Sequence, residues 1–412
     1  MRILIQSFGS YGDIYPFIGL GRELQFRGHE VIFFANGRFE SISKEAGLQF
    51  VEVGSEGQYE TFLENPDMWS PQKGFKFLLG VLIDYLPLAY HETLPYVKPE
   101  HTIIIGSSLA FSARLIQETH QIPGVTVHLA PSIFRSVYRP PEIPGLFMPV
   151  WIPHFIKNVM YWFGDKYVVD PLVADGLNAF RDTLNLPPVN RVFFEWVHAP
   201  DLVIGLFPDW FGDPQPDWPK QVRCTGFPLF DDTADGLDHE MNAFLDSGSR
   251  PIVFTAGTAM KHGTDFFDAS VKACDKLNRR GILLTRYPEQ LPEQLPSEII
   301  HVGYAPFSSL LSRAAALVHH GGIGTTSQAL RAGIPQLIRP CAYDQFDNAL
   351  RLETLGVGKM IDRDAYNPDS VREGLETLLN DPSYSHNCQV IADRFKGINS
   401  ISESCDHIES IF

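Results

Sequence analysis

Cysteine in a useful arrangement is the first thing this sequence lacks. Its five cysteines, Cys224, Cys274, Cys341, Cys388 and Cys405, are odd in number and include no C-x-x-C pair. That excludes a zinc ribbon and a disulfide framework, and a reducing cytoplasm is the simplest setting. Positive charge is also scarce: 33 lysines and arginines face 49 aspartates and glutamates, a formal charge of −16 with no basic cluster. A phosphate backbone would be repelled, so no nucleic-acid partner is expected. Long apolar runs are missing as well. The most apolar long stretch, residues 75–90, is interrupted by Lys76, Asp84 and Pro87 and is too short to cross a bilayer. Contact with a membrane surface stays open. The amino terminus, with one arginine and a short apolar run, reads as a first strand rather than a secretory signal. What remains is ordinary globular composition, 44% hydrophobic and 20% charged, in 412 residues that suffice for two domains with separate cores.

The carboxy-terminal third organises the rest. An apolar run at residues 314–318 leads into His319-His320-Gly321-Gly322-Ile323-Gly324-Thr325-Thr326, and then into a helical pattern ending at Gly333. Strand, glycine loop and helix follow in that order, with Thr325 or Thr326 as the expected N-cap. Free backbone N–H groups and the positive end of the helix dipole make such a loop an anion site, and His320 stands beside it. It is neither a Walker loop, since no lysine follows the glycines, nor a regular dinucleotide fingerprint, since Ser327 occupies the third glycine position. A second buried strand then delivers Asp344-Gln345 to the same sheet edge, where a carboxylate and an amide suit neighbouring sugar hydroxyls.

Earlier in the chain, residues 2–7 read as a strand, 8–13 as a glycine loop, 14–27 as a helix and 30–35 as a strand, a βαβ unit opening an α/β domain. Residues 134–167 depart from this pattern, being rich in proline and in aromatics such as Trp151, Phe155 and Trp162, and read as an irregular lid over an apolar ligand ahead of the alternative, a packed surface excursion. The Pro-, Gly- and Asp-dense residues 208–235 mark a linker, and a second strand-loop-helix series opens near residue 251 with Gly257-Thr258 at its first turn. The division expected is residues 1–210, a linker at 211–235, a second domain at 236–390 and a helical segment at 391–412.

On its motifs the sequence resembles the GT-B nucleotide-sugar-dependent glycosyltransferases that act on plant secondary products, sterols and antibiotics. They are His-x-Gly-x-Gly-Thr at 320–325, Gly-x-Pro at 333–335 and Asp-Gln-x-x-Asn-Ala at 344–349. Within that family it is most similar to the rhamnolipid-type bacterial rhamnosyltransferase chain, through Gly9-Ser10-x-Gly12-Asp13, Asp217-Trp218-Pro219 and Thr225-Gly226-Phe227-Pro228-Leu229-Phe230-Asp231. The resemblance implies two Rossmann-like, doubly wound domains facing a central cleft, the first taking the acceptor and the second the donor, with residues 391–412 returning to the first. It implies an inverting, metal-independent sugar transfer that needs no cofactor beyond a UDP- or dTDP-linked co-substrate.

The resemblance also distributes roles. Asp13 becomes the base that takes the acceptor proton; from local sequence alone it could equally be a helix cap. His320, Gly322, Gly324 and Thr325, with Gly257 and Thr258, face the donor diphosphate. Tyr304 stands where the family has a base-stacking tryptophan. Gln328 replaces a common ribose-binding glutamate, which tilts the donor towards dTDP-rhamnose over UDP-glucose. Asp344 and Gln345 meet the donor sugar. Phe8, Trp151, Phe155 and Trp162, together with residues 75–90, are expected to line a pocket for a small lipophilic acceptor such as a hydroxyacyl lipid, sterol or phenol. A GT-B epimerase and a non-catalytic nucleotide-sugar-binding subunit are the rival readings, and oligomeric state is not legible.

Overall fold

The computed structural model describes residues 1–71, 73–143, 145–230 and 236–412. Residues 231–235, the end of the stretch read as a linker and including Asp231, lie outside the described residues. Contacts divide the chain into one unit of residues 1–228 with 399–412 and another of residues 229–398.

Near-continuous runs of β-branched and aromatic residues form the strands of the first unit, as strands buried on both faces require. These are β1 (Arg2–Gln6), β2 (Glu30–Ala35), β3 (Gln49–Glu52), β4 (Thr102–Ser107), β5 (Gly124–His128), β6 (Leu202–Gly205) and β7 (Val222–Cys224). All pair in parallel, in the order β3-β2-β1-β4-β5-β6-β7. Strand order therefore reverses between β1 and β4, where an open α/β sheet has its ligand crevice. Strand β7 lies within the stretch read as linker; its ladder to β6 carries the first unit on to Pro228. The last helix, Ser400–Glu409, belongs to this unit too. Arg27 bonds Glu409 at 2.7 Å, and Ser404 meets Thr225 at 2.7 Å. The preceding helix, Pro382–Asp393, stays with the second unit, so the segment that joins the first unit starts at Asn399 rather than at residue 391.

The second unit repeats the plan with β8 (Ile252–Thr255), β9 (Gly281–Leu284), β10 (Ile299–Val302), β11 (Ala316–His319), β12 (Gln336–Ile338) and β13 (Gly358–Met360). Its parallel order is β10-β9-β8-β11-β12-β13, with the reversal between β8 and β11. Both doubly wound sheets are as expected from the strand-helix alternation.

Two local expectations give way. The first helix is Tyr11–Phe26 rather than 14–27, because Ser10 caps it and draws the supposed loop residues 11–13 into its first turn. Residues 134–167 are not irregular throughout: His154–Gly164 is a helix, continued by a π-helical turn at Asp165–Val169.

Candidate active site

In the second unit, parallel strands β8, β11 and β12 lie side by side, so the loops leaving their carboxyl ends share one edge. Direct contacts tie these loops together. Gly257 has φ +100°, and a Cβ there would come within 2.8 Å of the His320 ring. Only glycine supplies both the conformation and the clearance. From the other side, Asn348 Nδ2 donates to Gly321 O at 2.9 Å and to Asp344 Oδ2 at 2.8 Å, clamping the glycine loop to the loop that carries Asp344. Asn348 was visible in the motif but had no role assigned; its i, i+4 spacing from Asp344 was the usable signal.

The helix after the glycine loop is Ile323–Ala332, and its N-cap is Gly322 rather than Thr325 or Thr326. The extended backbone of Gly322 (φ −61°, ψ 139°) starts the helix one turn earlier, which puts Gly324 and both threonines inside its first turn. The backbone N–H groups of Gly324 and Thr325 are therefore among the four that an α-helix leaves unpaired, while Thr326 N donates to Gly322 O at 2.9 Å. Below them, buried His319 fixes the turn: its Nε2–H donates to Gln336 Oε1 at 3.0 Å while its Nδ1 accepts from Gly321 N at 3.1 Å. Burial pushes His319 down to about 3 and His320 to about 4. At neutral pH His320 thus offers an N–H donor rather than a positive charge.

On this loop and its helix, three buried side-chain atoms meet no hydrogen-bond partner among the described residues: His320 Nδ1, Thr326 Oγ1 and Gln328 Oε1. Buried polar atoms are normally paired, so three on one loop and its helix mark a surface shaped for a polar ligand. Thr326 was considered only as a cap. Gln345 is buried, and its Oε1 accepts from Cys341 N at 2.7 Å and Ala342 N at 3.1 Å, so its amide N–H groups are what it has left to offer. Thr258 is exposed after β8. Tyr304 stands apart from the loop cluster, after β10 and two strands from β8, with the Arg286 guanidinium 5.5 Å from its ring centre.

The first unit's edge has a different character. Asp13 lies in the first helical turn, not on a loop, and its Oδ2 accepts from Ser10 N at 2.7 Å and Ser10 Oγ at 2.9 Å. It does cap the helix. Burial nevertheless pushes its carboxyl above the ordinary value, against the opposing pull of the two Ser10 bonds. A raised carboxylate is a stronger base than a free one. Gly9, at φ +132°, packs so closely that a Cβ would strike this carboxylate.

Gly9 and Phe8 also line a cavity of about 900 Å³, its mouth included. Its walls come from the loops after β1, β2 and β4, from the helix Glu56–Glu64 and from the helix Gly74–Thr93, which contributes Phe77, Val81, Leu82 and Tyr85. Most polar side chains on the wall are occupied within the protein: Asn36 Nδ2 donates to Gly54 O, and Ser112 Oγ to Gln6 Oε1. The Tyr85 hydroxyl is buried without a partner among the described residues. Of the four aromatics expected in the pocket, only Phe8 lines it. Trp151, Phe155 and Trp162 are 75%, 70% and 51% exposed, because the polar and aromatic contacts of residues 135–137 hold the other face of the helix His154–Gly164 inward.

Two family models match the chain. Residues 3–139 match the glycosyltransferase family 28 N-terminal domain, and residues 282–405 match the erythromycin biosynthesis protein CIII-like C-terminal domain. The chain is 25% identical to the O-mycaminosyltylonolide 6-deoxyallosyltransferase of Streptomyces fradiae, over 99% of this chain and 97% of that one. It is 27% identical to the sterol 3-beta-glucosyltransferase of Saccharomyces cerevisiae (strain YJM789), over 85% of this chain but 30% of that protein. Among solved structures it superposes on the glycosyltransferase of kitacinnamycin with a TM-score of 0.74 at 20% identity, covering 100% and 98% of the two chains. The spinosyn rhamnosyltransferase SpnG complexed with thymidine diphosphate gives 0.70 at 17% identity, over 99% of this chain and all of that one.

Proposed function

We propose that this chain, which belongs to the GT-B glycosyltransferases of the family 28 and EryCIII-like kind, moves a deoxysugar from a dTDP-linked donor to the hydroxyl of a lipophilic acceptor. The observation that carries the reading is the pairing of two unlike sites: a glycine loop with unpaired buried polar atoms in one unit, and an apolar cavity beside Asp13 in the other. An epimerase acting on the nucleotide sugar alone has no use for that cavity.

In this reading Asp13 accepts the proton of the acceptor hydroxyl as its oxygen attacks the anomeric carbon. The bond from that carbon to the diphosphate oxygen breaks, and the leaving diphosphate takes the electron pair. Backbone N–H groups of Gly324 and Thr325, the helix dipole and the His320 N–H receive the developing charge. Gly257 leaves room for this by keeping its loop thin against His320. A single displacement inverts the anomeric centre. Asp344 and the amide of Gln345 hold the sugar, and Gln328 faces the nucleoside, where Tyr304 stacks on the base. The neutral Gln328 in place of a ribose-binding carboxylate favours dTDP-rhamnose, with UDP-glucose as the competing donor. The acceptor class is a hydroxyacyl lipid, sterol or polyketide, handled in a reducing cytoplasm.

Nucleotide release and product mass test this directly. The purified protein is given dTDP-rhamnose or UDP-glucose, each with a hydroxyacyl lipid or a sterol. Rhamnosylated lipid supports the donor and acceptor together. Transfer only from UDP-glucose keeps the reaction and removes the Gln328 argument, and nucleotide turnover that ignores every acceptor overturns the reading.

A further inference from the structure

The helix His154–Gly164 is mounted the wrong way round for a helix in water. Its single lysine, Lys157, is fully buried and donates to the carbonyl oxygens of Val137 at 2.8 Å and Val150 at 3.2 Å. Phe155, Val159, Trp162 and Phe163 stand exposed instead. Neighbouring segments extend the same surface, with Phe147 and Trp151 before the helix and Tyr167 and Val168 after it. The orientation is fixed by specific contacts. Tyr161 OH donates to Ser136 O at 3.0 Å, and the Arg135 guanidinium lies 4.2 Å from the Tyr161 ring centre while pairing with Asp165. A contiguous apolar surface of this kind marks an interaction face.

Its charges identify the partner. Asp165 is the only carboxylate in residues 143–169, and it is buried between Arg135 and Arg191. Of the exposed charges flanking the face, Lys166 and Arg139 are cations, and the one exposed carboxylate beside them, Glu142, already has an interaction within the protein. Lys166 Nζ lies 5.0 Å from the Trp162 ring centre and 5.4 Å from that of Tyr167. On a chain of formal charge −16 this is a local inversion of sign. A second copy packed face to face would set these cations against themselves. A lipid surface supplies the phosphates they lack and an acyl boundary for Phe and Trp, the combination that interfacial segments use.

We propose that the outward face of the helix His154–Gly164, with its flanks, docks the protein on an anionic lipid surface. The aromatics enter the headgroup boundary, and Lys166 and Arg139 remain at the phosphate level. The proposal is independent of the sugar-transfer reading, since docking needs neither donor nor acceptor.

Flotation of the full chain with vesicles of phosphatidylcholine, with and without phosphatidylglycerol, tests it in the absence of any substrate. The wild type is expected to float with the anionic vesicles and to show a blue-shifted tryptophan emission. The triple variant Phe155→Ser, Trp162→Ser, Phe163→Ser, altered only at exposed positions, is expected to bind at least about tenfold more weakly with unchanged circular dichroism. Lys166→Glu should weaken binding to anionic vesicles several-fold and leave the small binding to neutral ones alone. Failure of the wild type to float overturns the proposal, as does equal flotation of the triple variant. A wild-type dimer in light scattering that the triple variant converts to monomer also overturns it, assigning the face to a second copy.

Discussion

Both sheets reverse strand order between their first and fourth strands, β1/β4 in one and β8/β11 in the other, yet the two crevices have opposite chemistry. At the first, helix Gly74–Thr93 walls a cavity with apolar side chains, and Asp13, packed against the Gly9 that lines it, is already held by Ser10. At the second, a glycine loop and the helix it opens carry free backbone N–H groups and three buried side-chain atoms without a partner among the described residues. One topology therefore carries an apolar cavity at one edge and a polar glycine loop at the other. The difference lies in a few residues after each strand, which is why fold alone does not give function.

The comparison breaks most severely at Asp13. Asp13→Asn keeps the Ser10 contacts in outline but cannot take a proton, and transfer should fall about 10²- to 10⁴-fold while nucleotide affinity is unchanged; turnover assays beside nucleotide titration read both. On the other edge, Gly257→Val places a branched side chain at φ +100° against His320, and dTDP affinity should fall about 10- to 100-fold while an apolar acceptor still binds.

Acidity should strain both units. Burial holds His198 at about 4 in the first unit and His319 and His320 at about 3 and 4 in the second. Because these folded values lie below the free value of about 6.5, the unfolded chain binds protons first as pH falls, and stability is lost from about pH 6.5 down towards 4. Each histidine contributes at most about 1.4 kcal/mol per pH unit in that window. Denaturant midpoints at a series of pH values check the slope, and His198→Phe should reduce it. The smallest effect belongs to Gln328→Glu, which should shift preference towards a ribonucleotide donor by only a few-fold in competition assays, about one hydrogen bond to a hydroxyl.

How far the sequence could be read follows the same divide. The glycine loop, Asp344-Gln345 and the paired strands were legible because each depends on residues adjacent in the chain. Gly257 against His320 was not legible as a contact, since their loops meet only when β8 and β11 pair. The cavity was half legible: residues 75–90 do wall it, but Tyr85 gains significance only because its hydroxyl is buried without a partner there. Trp151, Phe155 and Trp162 misled because an aromatic segment reads as a pocket lining whichever face turns inward. What turns the helix is Lys157 reaching two carbonyl oxygens and Tyr161 reaching a third, contacts that no periodicity reveals. The caps at Ser10 and Gly322 moved two helix starts for a similar local reason.

Calorimetric titration of dTDP into the wild type, Asp13→Asn and His320→Ala tests the division of labour most directly. The account predicts wild-type affinity for Asp13→Asn and a loss of about tenfold or more for His320→Ala, one hydrogen bond to a charged group. Equal affinity in all three, or a loss confined to Asp13→Asn, would contradict it.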